Sequence, residues 1–231
     1  MLKLENVVLA QEGFRLTADW AVMPGARVAI IGPSGAGKST LLSAIAGFFP
    51  PVSGRISWDG VDLGPMAPGD RPISMLFQDQ NLFPHLTLAQ NLGLGIAPNL
   101  ALGAQDHERI EAALTRVSLN GMGARKPGQL SGGQQSRAAL ARALLRARPI
   151  LLLDEPFAAL GPALKAEMLD LVAEVAAENG ALVLMVTHDP DDARRFAGLT
   201  VLVAEGQATA PIETTALFAN PPSALKEYLG Q

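Results

Sequence analysis

Apolar positions along this chain follow two periods, and the places where the period changes divide it into elements. From Leu2 to Leu9 and from Phe14 to Val22, apolar and polar residues alternate loosely, as in strands covered on one face. Gly54 to Trp58 leads into the turn dipeptide Asp59-Gly60, so these stretches predict a small antiparallel sheet. Arg27 to Ile31, Ile150 to Leu153, Ala181 to Val186 and Leu199 to Val203 are short apolar runs instead. Their length and β-branched content fit strands of a parallel sheet buried on both faces. Helical patterns separate them. Lys38 to Ala46 is stopped by Gly47, and an Ala- and Arg-rich stretch runs from Ser131 to about Arg148. Such alternation predicts βαβ units and an α/β fold. Residues 79–128 break the rhythm, with helical patterns at Ala89 to Leu94 and Asp106 to Val117 among Pro, Gly and Asn. They read as a mainly helical insert in a core made of residues 1–78 and 129–231.

The bulk composition narrows the class of protein. Of 231 residues, 48% are hydrophobic and 17% charged, which is the balance of a globular chain rather than a disordered one. The net charge of -4 gives no basic excess to draw the chain to nucleic acid or anionic lipid. There are no cysteines, so disulfides, thiolate metal sites and cysteine nucleophiles are excluded. Met1 to Gly13 lacks the long apolar core of a signal peptide. No run of about 18 or more apolar residues occurs, so a role at a membrane would go through a partner.

Three motifs carry chemistry. Gly32-Pro33-Ser34-Gly35-Ala36-Gly37-Lys38-Ser39, followed by Thr40, fits the phosphate-loop pattern and lies between a predicted strand and a predicted helix. Backbone N–H groups can close around phosphate oxygens only where side chains are missing, and the positive helix end then faces the anion. Lys38 adds a mobile charge for the β- and γ-phosphates of a nucleotide, and the Ser39 hydroxyl is placed to hold Mg²⁺. Ile150 to Leu153 delivers Asp154 and Glu155 at a strand's C-terminal end, where parallel sheets bind ligands. Asp154 would hold Mg²⁺ through water, and Glu155 would orient or deprotonate an attacking water. In Leu130-Ser131-Gly132-Gly133-Gln134, Ser131 and Gln134 make a capping box for the helix that follows. Two glycines in a first turn cost roughly 1 kcal/mol each against alanine and leave bare N–H groups at a positive helix end, a second anion site.

In this order and spacing, the phosphate loop, Leu-Ser-Gly-Gly-Gln and Leu-Leu-Leu-Asp-Glu-Pro resemble the ATP-binding cassette family, and the resemblance covers nearly the whole chain. It implies a P-loop cassette with a RecA-like parallel sheet, an antiparallel β subdomain and a helical insert. It also implies ATP and Mg²⁺ as ligands, and a homodimer in which each ATP lies between one subunit's phosphate loop and the other's signature. By the same motif match, Gln78 is the glutamine that senses Mg²⁺, and His188 is the switch histidine on the γ-phosphate. Glu155, His188, Lys38 and Gln78 are then the catalytic set, and Ser39, Gln78 and Asp154 the metal set.

The chain departs from the family pattern twice. Ala158-Ala159-Leu160-Gly161 has glycine where relatives carry an aspartate that ties the two subunits together, so looser closure of the dimer is expected. The aromatic residue that stacks on adenine is also displaced: Gln11 is in its neighbourhood, and Phe14 is the nearest ring.

Long coiled coils and tandem cassettes, marks of the DNA-repair and translation members, are absent from the 231 residues. The run Gln78 to Leu88, with Leu82, Phe83, Leu86 and Leu88, resembles importers in which this region receives a membrane permease, and those side chains equally suit packing of the insert. Met75 to Phe83 and Ala89 to Gly95 resemble the ATPases of bacterial thiamine importers, which lack the C-terminal regulatory domain of maltose-type subunits. The expected setting is the cytoplasmic face of a bacterial inner membrane, with a periplasmic binding protein reached through the permease and no nucleic acid. The alternatives are another importer, an exporter, or a soluble ATPase acting on nucleic acid or ribosomes.

Overall fold

The computed structural model describes residues 1–77, 81–158 and 160–230. One mixed sheet carries the antiparallel and parallel strands together. Its antiparallel part pairs β1 (Leu2–Gln11) with β2 (Phe14–Val22) and with β4 (Ser53–Trp58), which turns into β5 (Val61–Asp62). That turn has positive φ at both Asp59 (47°) and Gly60 (82°), the hairpin geometry that an Asp-Gly pair favours.

The parallel part runs β9 (Leu199–Ala204), β3 (Arg27–Ile31), β8 (Leu182–Val186), β7 (Ile150–Asp154) and β6 (Ile73–Leu76). Strand β6 had no counterpart among the predicted strands. A two-residue strand, β10 (Gln207–Ala208), joins the two parts by pairing parallel to β2 and antiparallel to β9. Another short strand, β11 (Ile212–Glu213), pairs with β9. In the centre Ile30 stands beside Val186, and Val186 beside Asp154, so three strands end level with one another.

Both faces of the parallel strands are covered, which explains their continuous apolar runs. On one face, Val28 and Ile30 meet Leu41, Leu42 and Ile45 of α1 (Lys38–Ala46), in a cluster shared with Leu4, Leu9 and Leu16 of the antiparallel part. On the other, Ala29 and Ile31 meet Leu140 of α4 (Gly132–Leu145), Leu169 and Val172 of α5 (Pro162–Asn179), and Phe196 of α6 (Pro190–Phe196). Each such leucine or isoleucine contributes about 1.5–3 kcal/mol by leaving water. The chain ends on α7 (Thr214–Ala219) and α8 (Ser223–Leu229), which dock on this second cluster through Leu217 and Leu225.

The insert holds α2 (Leu88–Gly93) and α3 (Ala104–Arg116), whose Leu88, Leu92, Ile110 and Leu114 pack on Ala138 and Ala141 of α4. Helix α4 therefore belongs to both bodies, one side on the sheet cluster and the other on the insert. Before α2, the buried Asn91 side chain bonds to the backbone of Phe83, Leu86 and Thr87 and so shapes the loop between them.

Helix α5 begins at Gly161 with φ −66° and ψ 157°, and no side chain caps its first turn. A Cβ on Gly161 would meet nothing within 4 Å. Aspartate fits this extended cap conformation and would accept a hydrogen bond from the first turn. Gly161→Asp is therefore expected to stabilise the chain by about 0.5–1 kcal/mol and to raise the thermal midpoint by about 1–4 °C. A midpoint that stays level or falls in calorimetry without nucleotide would show that the open cap position is misjudged.

Candidate active site

The phosphate loop leaves β3 at Gly32, whose φ of 146° is closed to most side chains. A Cβ there would also lie 2.0 Å from the Val203 carbonyl on β9, so the loop can start only from glycine. The loop ends at Gly37 in the left-handed region (φ 102°), and α1 starts without a side-chain cap. Its first N–H groups are thus left to a ligand, and the helix dipole favours an anion there.

Pro33, Ser34 and Gly35 are exposed and Gly32 is buried, while Ala36, Gly37 and Thr40 are half-buried. The Lys38 ammonium donates to the Gly32 and Pro33 carbonyls, both at 2.8 Å, so it lies in the curl of its own loop. Burial lowers its pKa, opposed by the negative charges of Glu155 and Asp154.

Across the strand ends, the Ser39 hydroxyl donates to Asp154 Oδ1 at 2.9 Å. Burial raises the pKa of Asp154, opposed mainly by that hydroxyl. A hydroxyl and a carboxylate converging beside a phosphate loop are the hard oxygen donors that Mg²⁺ takes along with waters and phosphate oxygens. The observed contact therefore fits the metal role expected of Ser39 and Asp154. Gln78, expected as the third member, lies outside the described residues.

Glu155 follows Asp154 with φ 44°, in the left-handed region that costs a non-glycine residue about 1–3 kcal/mol. The conformation is held by the Glu155 N–H, which donates to the Val186 carbonyl on β8 at 3.1 Å. It turns the carboxylate to His188, whose Nδ1 is 3.1 Å from Glu155 Oε2. Nδ1 must carry a proton to donate there.

The signature lies elsewhere in the chain. Ser131 caps α4 as expected: its hydroxyl accepts from the Gln134 N–H, and the Gln134 side chain accepts from the Ser131 N–H. Ser131 and Gly132 are exposed, and Gly133 packs beneath Leu160 and Leu164, where a Cβ would come within 3.3–3.4 Å of their methyl groups. Among the described residues, no hydrogen bond or ion pair joins Ser131–Gln134 to the phosphate loop, Asp154, Glu155 or His188.

The fold thus gathers Lys38, Ser39, Asp154, Glu155 and His188 at the ends of three adjacent strands and holds the signature apart. Two further groups adjoin the gathered set. The Phe14 ring packs on Gly37, where a Cβ would come within 2.4 Å of the ring. Tyr228 of α8 reaches the His188 carbonyl, and no sequence motif marks it.

Bare N–H groups and an ammonium for phosphate, an oxygen pair suited to a divalent cation, and a carboxylate beside a histidine are the equipment of a P-loop nucleoside triphosphatase. Comparison with known proteins narrows this. Residues 17–158 match the family described as ABC transporter, and the chain belongs to it. The thiamine import ATP-binding protein ThiQ of Cereibacter sphaeroides is 69% identical over 230 residues, spanning the whole of both chains. The protein of the same name from a Ruegeria species is 59% identical over 230 residues with the same coverage. That of Brucella suis is 47% identical over 231 residues, all of this chain and 96% of its own. Among solved structures, a dimeric ATP-binding cassette in a post-hydrolysis state with ADP and Pi is 31% identical, with a TM-score of 0.81. The match covers 93% of this chain and 99% of that one. The activity is ATP hydrolysis, and the α/β cassette fold is the one expected.

Glu155→Gln removes a base while keeping its shape. Turnover of the purified chain is expected to fall by roughly 10²-fold or more, with ATP affinity retained. Near-normal hydrolysis in this variant would move the base to another group.

Proposed function

We propose that this chain is the ATP-binding subunit of a bacterial thiamine importer, acting as a homodimer on the cytoplasmic side of the inner membrane. The observation that carries this reading is the 69% identity, over the full length of both chains, to a thiamine import ATP-binding protein. The phosphate machinery described above is common to any cargo, and the chain has no helix long and apolar enough to cross a membrane among its described residues. Thiamine would accordingly pass through membrane permease subunits, fed by a periplasmic binding protein, and never touch this subunit.

A place for the permease is supported by exposed apolar side chains beside the insert. Phe83 is 46% exposed, Phe48 57% and Val52 68%, and Phe48 lies against Phe77 at 5.8 Å between ring centroids. A cleft of about 250 Å³ opens next to Phe83, floored by Met75, Leu94 and Arg142. Of the four apolar residues weighed for this role, Leu88 is fully buried in the insert, Leu82 and Leu86 are half-buried, and Phe83 faces out.

In the reading as a head-to-tail dimer, Ser131–Gln134 of one subunit caps the nucleotide held by Gly32–Thr40 of the other. Support comes from the exposure of Ser131 and Gly132 at the start of α4 and from the dimeric state of a solved relative. Mg²⁺ would be held by Ser39, Asp154 and Gln78, and it would stabilise charge on the phosphates. Lys38 then moves from its loop carbonyls to the phosphate oxygens, Glu155 takes the proton of the attacking water, and His188 contacts the γ-phosphate. The ring of Phe14, at the rim of the loop, supplies the apolar surface for adenine.

Two experiments test this. In a strain deleted for its thiamine import ATPase, the chain is expected to restore uptake of labelled thiamine, and its Glu155→Gln variant to fail. Absence of uptake with the folded chain present at the membrane would remove thiamine as the cargo. For the shared site, a Lys38→Ala subunit mixed with a Ser131→Arg subunit should recover activity that neither has alone, since one composite site in each mixed dimer is intact. Mixed dimers that form and stay inactive would refute sharing.

A further inference from the structure

Three constraints meet at the loop that carries His188. On its first side, the Thr187 hydroxyl donates to Asp192 Oδ2 at 3.0 Å and accepts from the Asp189 N–H at 3.0 Å. On its second, the Lys165 ammonium of α5 is 2.6 Å from Asp189 Oδ2 and 2.9 Å from Asp192 Oδ1. The residues before and after His188 are therefore held by side chains of α5 and α6. The third constraint acts on His188 itself: the Tyr228 hydroxyl of α8 donates to its carbonyl at 2.5 Å.

We propose that Tyr228 is a positioning residue for ATP hydrolysis, holding the His188 backbone so that the imidazole stays on the Glu155 carboxylate. The role of His188 on the γ-phosphate is part of the reading above, and this proposal rests on it. Helix α8 is anchored well enough to serve. Leu225 is fully buried, Tyr228 is half-buried in the same cluster, and Gly230 closes the helix with a left-handed cap.

The hydroxyl is also kept as a donor. Burial raises its pKa, and the negative charges of Glu155 and Asp189 raise it further. A peptide plane hydrogen-bonded at its carbonyl resists rotation, so the His188 side chain leaves a backbone whose direction is restrained. The last helix of the chain, far in sequence from every motif, thereby acts on the centre of catalysis.

The test is Tyr228→Phe, which keeps the ring and its packing and removes the donor. Turnover of ATP by the purified chain is expected to fall about three- to tenfold, the effect of one neutral hydrogen bond, with KM for ATP within about twofold. A spectroscopic reading separates positioning from general stability. The chain has three histidines, so their ring Cε1–H resonances can be resolved and that of His188 assigned from His188→Gln. The Phe variant should shift the His188 resonance while leaving those of His85 and His107 in place. A folded variant with unchanged turnover and an unmoved His188 signal would overturn the proposal. His188→Ala serves as the control: if it retains full turnover, the assignment of the histidine fails rather than that of the tyrosine. Truncation after Pro222 removes the donor by another route and should reproduce the loss of turnover, and full activity in the truncated chain would equally overturn the proposal.

Discussion

The register of three parallel strands is the constraint on which the rest of this structure depends. Ile30, Val186 and Asp154 lie side by side on β3, β8 and β7, so the three strands leave the sheet within one residue of the same level. Gly32 opens the phosphate loop, Thr187 and His188 follow β8, and Glu155 is bent toward that histidine. A slip of one residue in any strand would exchange the faces of its side chains, sending Ile30 into the cluster of Ile31 and the reverse. The clusters on the two faces differ in shape and partners, and packing at crystal-like density tolerates such an exchange poorly. Burial of apolar residues on both faces thus fixes where the groups of the candidate site emerge. The chemistry inherits its geometry from the hydrophobic core.

Around that frame, several groups of the candidate site are unfavourable for folding taken alone. Gly37 leaves α1 uncapped, Glu155 sits at positive φ, and burial disfavours the charges of both Lys38 and Asp154. The last three are compensated locally. Lys38 is held by two carbonyls, Asp154 by the Ser39 hydroxyl, and the Glu155 N–H by Val186. The Gly32 and Pro33 carbonyls are neutral acceptors, whereas a phosphate would set a full negative charge against the Lys38 ammonium. The site is therefore poised to exchange internal partners for the ligand.

Much of this was legible in the residues, for a physical reason. The buried strands β3, β7, β8 and β9 read as apolar runs because parallel strands are covered on both faces, and the motifs read because glycine spacing and strand-end acids are local in sequence. The Asp59-Gly60 turn and the Ser131–Gln134 capping box were also visible, since both are made by neighbours. The parts that did not show are those made by distant contacts. Strand β6 is short and edge-lying, β10 and β11 have two residues each, and α8 is a seven-residue helix with no periodic signal to speak of. Arg148 lies beyond the end of α4, which stops at Leu145 because the chain turns there into β7. The bond from Tyr228 to His188 spans forty residues, and the contact of Phe14 with Gly37 needs the hairpin to fold over the loop. Neither leaves a pattern in the sequence.

The separation of the signature from the other groups bears on how this chain turns over ATP. A subunit that held every group of the site within its own fold would have no structural reason to keep Ser131 and Gly132 exposed on a distant helix end. Helix α4 carries that end, and its other faces are committed to the sheet on one side and to the insert on the other. Movement of the insert would act on α4 and its exposed end, whereas the phosphate loop, Glu155 and His188 follow strands β3, β7 and β8 of the sheet. In the dimer reading, binding energy from ATP is spent between subunits, where the insert of one is aligned with the strands of the other. The exposed phenylalanines beside the insert then lie where a membrane partner would feel that alignment. In the same reading, glycine at position 161 offers no carboxylate to tie the subunits together, so closure would rest more heavily on the nucleotide and on a partner that holds both inserts.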